Sequence, residues 1–316
     1  MIAILTHNYP SEENPVAGLF VSDHEDVIRR ERGVPVKVFN YPSGMFPMTK
    51  AIKNPFKWPL FLDYYVTTPR RMRQDIDTWV QQQGGQLDEI IAHWWIPNGM
   101  FAARYYDNVR VICHGTDLYL LQKYPWIARK LAGTARRVRS WQCVSNDLKR
   151  ILLEFYPFID EASVSVEPMP WGKMFVDKKL PRDNKLIVSV GALIERKKFD
   201  KLISEVAKVA DLKLEIYGQG PERGRLEKLI ADLGVADRVS LPGQVTREEL
   251  ADVYNRAALF VLLADDEGFG LVLKESQACG CRTMAYVGDG MADTGLDYPL
   301  RRDEPVAERI KAVVGA

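Results

Sequence analysis

The 316 residues predict an α/β protein made of two Rossmann-like domains facing across a cleft. Short continuous apolar runs alternate with amphipathic segments, the pattern of parallel strands covered on both faces. Eleven such runs exceed one comfortable doubly wound sheet, and the length suits two domains of about 150 residues. The polar, proline-containing stretch VDKKLPRDNK at 176–185 reads as the linker. The domains are therefore set at 1–173 and 184–316.

The first series of strands is IAIL at 2–5, VPVKVF at 34–39, EIIA at 89–92, VRVIC at 109–113, QCVS at 142–145 and SVSV at 163–166. The second is LIVSV at 186–190, LKLEIY at 212–217, RVSL at 238–241, LFVLL at 259–263 and RTMAYV at 282–287. A last amphipathic helix is expected at about 304–314, with Val306, Ile310 and Val313 on one face. In open α/β sheets ligands bind beyond the carboxyl ends of strands, so function is sought in the loops that follow them.

Composition narrows the classes. A formal charge of +1 gives no argument for nucleic acid or for an acidic tail. Cys113, Cys143, Cys279 and Cys281 show no Cys-x-x-Cys spacing and read as packed thiols in a reducing cytosol. The start MIAILTHNYP lacks the charge and length of a signal peptide, and no apolar run approaches the ~20 residues of a membrane span. A cytoplasmic location is expected.

The loops carry the chemistry. LFVLL leads into Asp265, Asp266, Glu267, Gly268, Phe269 and Gly270, with a helix expected from Leu271 to Ala278. The first free N–H groups of such a helix form an anion site, and the glycines allow close backbone approach. Glu275, one to two turns in, suits the two hydroxyls of a ribose, and Glu267 suits a sugar. A lone Glu-Gly-x-Gly also reads as a solvated acidic loop before a helix. Asp265 and Asp266 read as loop solvation or helix capping rather than a metal site. After the next candidate strand, Arg196, Lys197 and Lys198 form a basic turn suited to phosphate or simply to solvent. YGQGPER at 217–223 reads as a tight βα connection. In the first half, HWWIPNG at 93–99 and CHGTD at 113–117 follow strands. His114 reads either as a packed histidine or as one facing the cleft. Gly18 closes the loop after the first strand. There is neither Gly-x-Gly-x-x-Gly nor Gly-Lys-Ser/Thr, which weakens dinucleotide and P-loop readings.

Taken in order, these loops resemble the retaining GT-B glycosyltransferases of family 4 (group 1) from the Gly18 loop to about Ala285. EGFGLVLKESQACGC is similar to the family's Glu-x7-Glu signature, and HWWIPNGMFAARYY with VRVICHGTDLYLL to its paired histidine loops. VSNDLKRIL, VEPMPWGKMF, VGALIERKKFDKLI, IYGQGPERGRLEKLI and LPGQVTREELADVYNRAALFVLLADDEGFG follow the family's later segments. The resemblance implies a nucleotide-sugar donor, UDP- or GDP-linked, and a glycan or lipid-linked acceptor. Glu275 would hold the ribose, Glu267 the donor sugar, and Lys197 the diphosphate. Backbone amides of Phe269, Gly270, Leu271 and Val272 would meet sugar and phosphate, and Gln244 and Val245 would border the base. His114 would face the transferred sugar, with Gly18 near the diphosphate. The family's chemistry uses no protein nucleophile and no metal. Growing charge on the leaving diphosphate is met by cations and helix N–H groups.

Two departures stand out. Ala192 occupies the position where the family has arginine, with Lys198 in place of a glycine, so Arg196 is expected either to fold back as a substitute cation or to leave the diphosphate less stabilised. The tail lacks the family's Gly-Gly loop. Ala192 keeps open a catalytically weak nucleotide-sugar-binding protein of the same fold. A phosphorylase lacks its pyridoxal-lysine context here, and Glu-x7-Glu argues against an epimerase. Basic residues interleaved with aromatics at 48–73 (Lys50, Lys53, Phe56, Lys57, Trp58, Phe61, Tyr64, Arg70, Arg71, Arg73), and Arg129, Lys130, Arg136, Arg137 and Arg139, read as ordinary solvated segments or as a peripheral contact with an anionic membrane at its inner face.

Overall fold

A computed structural model describes residues 1–14, 16–42, 58–288 and 290–315, with side chains in the long second helix from residue 64 onward. Lys50, Lys53, Phe56 and Lys57, and the side chains of Trp58 and Phe61, lie outside the described residues. The chain divides into two compact units, Met1–Pro170 and Trp171–Ala316.

The first unit runs β1 (Ile2–Thr6), α1 (Leu19–Arg32), β2 (Val36–Asn40), α2 (Trp58–Gln83), β3 (Glu89–His93), β4 (Val109–Cys113), α3 (Thr116–Lys123), α4 (Pro125–Ala135), β5 (Ser140–Cys143), α5 (Asn146–Phe155) and β6 (Val164–Val166). Its strands pair in parallel in the order β2-β1-β3-β4-β5-β6. The second unit runs β7 (Asp183–Val190), α6 (Phe199–Ala207), β8 (Lys213–Tyr217), α7 (Arg223–Asp232), β9 (Val239–Gly243), α8 (Arg247–Arg256), β10 (Ala257–Leu262), α9 (Leu271–Ala278), β11 (Arg282–Tyr286), β12 (Tyr298–Leu300) and α10 (Val306–Val314). Its parallel order is β12-β11-β10-β7-β8-β9.

The apolar runs become strands because both faces are covered: all six residues of β10 are buried, as are all five of β1. Helix ends follow local chemistry. Thr246 and Glu249 form a capping box at α8, and Ser145 accepts from the Leu148 N–H at α5. The edge strand β12 is the one the sequence reading lacked, because three residues with a central proline carry too little pattern.

The stretch 176–185 is fastened to the second unit. The Lys178 N–H donates to Asn255 Oδ1 at 2.7 Å, and the Arg182 guanidinium donates to the carbonyls of Tyr254, Ala257 and Cys279. The tail helix α10 packs on this unit. Val306 and Ile310 are buried in its core, and the Ala307 N–H donates to Glu205 on α6.

Strand order locates where ligands can enter. In the first unit β1 is flanked by β2 and β3, and in the second β7 is flanked by β8 and β10. At such switch points successive connections leave in opposite directions and open a crevice beyond the strand ends. The loops at these points are those after β1 and β3, and those after β7 and β10.

Candidate functional site

In the second unit the loops after β7 and β10 meet. Lys197 Nζ donates to Glu267 Oε2 at 2.6 Å, and Arg196 Nη1 reaches the same oxygen at 3.4 Å. Burial alone would raise the Glu267 carboxyl, but the two cations outweigh it and hold the pKa below the usual carboxylate value. Arg196 also donates to the carbonyls of Asp265 and Asp266, at 3.2 and 2.7 Å, and the Asp265 N–H donates back to the Arg196 carbonyl at 2.9 Å. It clamps the loop that carries Glu267. Asp265 is not a cap: it pairs with Lys198 at 3.3 Å and with Arg302 from beyond β12. Burial opposes this too, and the two cations still leave its pKa depressed.

The turn is shaped by close backbone contact. A Cβ on Gly218 would lie 1.9 Å from the Gly191 carbonyl oxygen, and one on Gly220 would lie 2.3 Å from that of Leu193. The Leu193 N–H donates to the Gln219 carbonyl and the Glu222 N–H to the Leu193 carbonyl. YGQG is thus the shelf on which the basic turn rests. Ala192 is exposed on that turn.

Helix α9 starts at Gly270, whose φ of 80° is left-handed and suits glycine. Among the described residues no side chain caps this end, so the first N–H groups after Gly268, Phe269 and Gly270, those of Leu271 and Val272, are available to an anion. Glu275 follows on the same helix, buried at 8% exposure. Arg247, at the start of α8, approaches it at 3.7 Å and lies over the Phe175 ring at 5.3 Å. The exposed Gln244 and half-buried Val245 lead into that helix.

The first unit has a different site. His114, just past β4, contacts His93 at the end of β3 (Nε2 to Nδ1, 3.0 Å), and His93 contacts His24 on α1 (Nε2 to Nδ1, 3.2 Å). His7, past β1, contacts Asn98 Nδ2 at 3.1 Å. The Trp94 ring lies between His7 and His114, with centroids at 4.3 and 4.6 Å. All four histidines of the chain are therefore gathered here. Burial lowers His7 and His24 to about 4 and His114 to about 3, and puts His93 well below its ordinary value. The neighbouring rings and Arg110 add to the effect, leaving the cluster neutral at pH 7.

Asp117 pins this cluster. Its carboxylate accepts the Trp95 N–H at 2.8 Å, the Gly115 N–H at 3.0 Å and the His114 N–H at 3.2 Å, tying the loops after β3 and β4 together. Burial raises its pKa and these N–H groups pull it partly back. Gly18, with φ 57°, starts α1 where a Cβ would lie 2.0 Å from the Asn8 carbonyl oxygen. That close turn brings Phe20 to 5.0 Å from the His114 ring.

Of the residues singled out in the sequence, Arg196, Lys197, Glu267 and the Gly268–Gly270 segment lie on the second unit's loops after β7 and β10, with Leu271, Val272 and Glu275 on the helix α9 that follows. Gly18 and His114 are joined through Phe20 in the first. His7, His24, Arg247 and Arg302 were missed, and His93 and Asp117, inside the quoted HWWIPNG and CHGTD, were given no role of their own. The signal for His7 and His93 was their place at first-unit strand ends, whereas His24, within α1, offered none. Thr246-x-x-Glu249 marked the start of the helix carrying Arg247.

Residues 173–298 match the family model of glycosyl transferases group 1. The lipopolysaccharide core biosynthesis glycosyltransferase LpsE of Rhizobium meliloti is 38% identical over 142 residues, 42% of this chain and 41% of that protein. The chain spans well under two thirds of the length of the first curated relatives it matches. Among solved structures, sucrose-phosphate synthase from Thermosynechococcus elongatus superposes with a TM-score of 0.75 at 17% identity, covering 99% of this chain and 89% of that one. Anabaena HepE in complex with UDP and glucose gives 0.66 at 14% identity, covering 99% and 90%. With its two parallel six-stranded sheets, the chain has the GT-B fold, and residues 173–298 of its second unit match glycosyl transferases group 1.

Proposed function

We propose that the chain is a retaining glycosyltransferase that moves a hexose from a UDP- or GDP-sugar to a glycan or lipid-linked acceptor in cell-surface polysaccharide or glycoconjugate synthesis. The observation that carries this is one junction in the second unit. The Lys197–Glu267 pair, the uncapped start of α9 and the buried Glu275 all sit beyond the switch-point strands β7 and β10. A diphosphate needs fixed positive charge and N–H groups, and sugar and ribose hydroxyls need carboxylate acceptors. HepE, of the same fold, was solved with UDP and glucose, and LpsE is named for lipopolysaccharide core synthesis.

In this reading Glu275 accepts the ribose hydroxyls and Glu267 those of the donor sugar. Gln244 and Val245 border the base, and His114 and Gly18 serve the transferred sugar and the diphosphate. As the glycosidic bond lengthens, charge grows on the leaving diphosphate. Lys197, Arg196 and the N–H groups of Leu271 and Val272 stabilise it without a metal ion. The acceptor attacks from the leaving group's face, so the anomeric configuration is kept, and a phosphate oxygen takes the acceptor's proton. Glu267 already neutralises Lys197, so the incoming diphosphate has to share that lysine.

For the acceptor, we propose peripheral contact with an anionic membrane at the cytoplasmic face. Supporting this, α4 exposes Trp126 (49%) beside Arg129 and Lys130. No helix among the described residues is long and apolar enough to cross a membrane. Co-sedimentation with anionic liposomes should deplete the protein from solution, and none with any lipid charge removes this contact.

The test of activity is nucleotide release from UDP- and GDP-sugars with a glycan acceptor. Wild type should turn over, and Glu267→Ala should lower the rate by about 10²- to 10³-fold, the scale of a lost transition-state contact. A wild type that binds a donor tightly and releases nothing would establish the alternative favoured by Ala192, a catalytically weak nucleotide-sugar-binding protein.

A further inference from the structure

We infer that His24, His93 and His114 form a hydrogen-bonded imidazole relay, in which His24 and His93 are positioning residues that decide which nitrogen of His114 carries its proton. The links are 3.2 Å from His24 Nδ1 to His93 Nε2 and 3.0 Å from His93 Nδ1 to His114 Nε2. A neutral imidazole has one N–H donor and one bare acceptor nitrogen. His93 uses both nitrogens in the relay and is fully buried, so its two bonds must run in the same direction.

Only two neutral arrangements satisfy both links. In one, His24 Nδ1–H donates to His93, His93 Nδ1–H donates to His114 Nε2, and His114 carries its proton on Nδ1. In the other, His114 Nε2–H donates to His93, His93 Nε2–H donates to His24, and His114 Nδ1 is a bare acceptor. The far end of the relay, on α1, thereby sets whether the half-buried His114 presents a donor or an acceptor. A cationic middle ring would also satisfy both bonds, but its surroundings oppose it. His93 faces His7, His24, His114 and Arg110, and the nearby Asp117 is committed to backbone N–H groups. Neutrality has a use if His114 meets the transferred sugar, because a cation there would oppose an oxocarbenium-like transition state. That consequence rests on the proposed function, whereas the relay rests on the ring geometry alone.

The test combines ¹⁵N-imidazole NMR with kinetics on the full chain. Wild type should show His114 as one dominant tautomer. His24→Phe keeps an aromatic ring and removes the terminal nitrogen, so the His114 nitrogen shifts should move toward a tautomer mixture. The same variant should lower kcat about tenfold, the worth of one neutral hydrogen bond, with the donor KM unchanged. His24→Asn, whose amide group takes the place of Nδ1, should recover most of kcat and restore a single tautomer. Should His24→Phe unfold, His93→Gln offers a second reading, since its one amide end cannot span both links and the shifts should move likewise. His114 shifts identical to wild type in a folded His24→Phe or His93→Gln variant overturn the relay. Absence of turnover in wild type counts against the proposed function and leaves the NMR result to decide the relay.

Discussion

Both units are parallel six-stranded sheets, in different strand orders, and their switch points differ in charge. The first unit holds all four histidines, and its site is a neutral array fixed by imidazole contacts and by backbone N–H groups on Asp117. The second unit has no histidine, and its site is a lattice of ion pairs in which Arg196, Lys197, Lys198 and Arg302 meet Asp265 and Glu267. The fold therefore dictates where a site can form and leaves its charge free. A site beside a sugar carrying growing positive character gains from neutrality, while one beside a leaving diphosphate gains from cations.

The comparison can be broken most forcefully in the first unit. Asp117→Ala leaves three N–H groups without their acceptor and should destabilise that unit by about 4 kcal/mol. Denaturant unfolding followed by tryptophan fluorescence reads this, since six of the seven tryptophans precede residue 171. The second-unit counterpart is steric. Gly218→Ala drives a Cβ to 1.9 Å from the Gly191 carbonyl oxygen at a φ of 141°, and should cost about 3 kcal/mol. Nucleoside diphosphate binding, measured by calorimetry, should fall with it.

Acid separates the units as well, and through His24 alone by a smaller amount. His24 titrates near 4 when folded and near 6.5 when unfolded, so below pH 6.5 the unfolded chain binds the extra proton. The stability held above pH 6.5 is lost as pH falls toward 4, by about 2 kcal/mol at pH 5 for His24 alone. Glu267 is also depressed, but from 4.5, so its contribution persists at pH 5 and is lost only at lower pH. Because His7, His93 and His114 are lowered as well, melting between pH 7 and pH 5 should lower the tryptophan-monitored transition by at least about 6 °C and leave the second unit's transition nearly in place. Smallest of all, Arg247→Met keeps a stem over Phe175 and loses the 3.7 Å approach to Glu275, weakening nucleoside diphosphate binding about threefold.

Sequence pattern made the fold legible wherever both faces of a strand were covered. Eleven of the twelve strands among the described residues were visible as apolar runs, and α9 was placed at Leu271–Ala278 because a glycine, a buried strand and a helical pattern agree there. The edge strand β12 was not, because three residues with a central proline carry too little pattern, and neither was the fastening of 176–185, which depends on distant residues such as Asn255 and Cys279. The same limit applied at the sites. The ionic turn showed itself through local charge, whereas the relay joins residues 24, 93 and 114, brought together only by the β1–β3–β4 order. Arg247 was hidden for the same reason: its partner Glu275 lies a strand and a loop away.

The central claim is that the second unit divides its donor between two carboxylates, Glu275 for the nucleotide and Glu267 for the sugar. Calorimetric titration tests it, using whichever of UDP, GDP, ADP and dTDP raises the melting temperature most. Glu275→Ala should lower affinity for the bare diphosphate at least about tenfold, the loss of one charged hydrogen bond or more. Glu267→Ala should leave that affinity unchanged or higher, because it releases Lys197 from the 2.6 Å pair. Equal losses in the two variants would contradict the account.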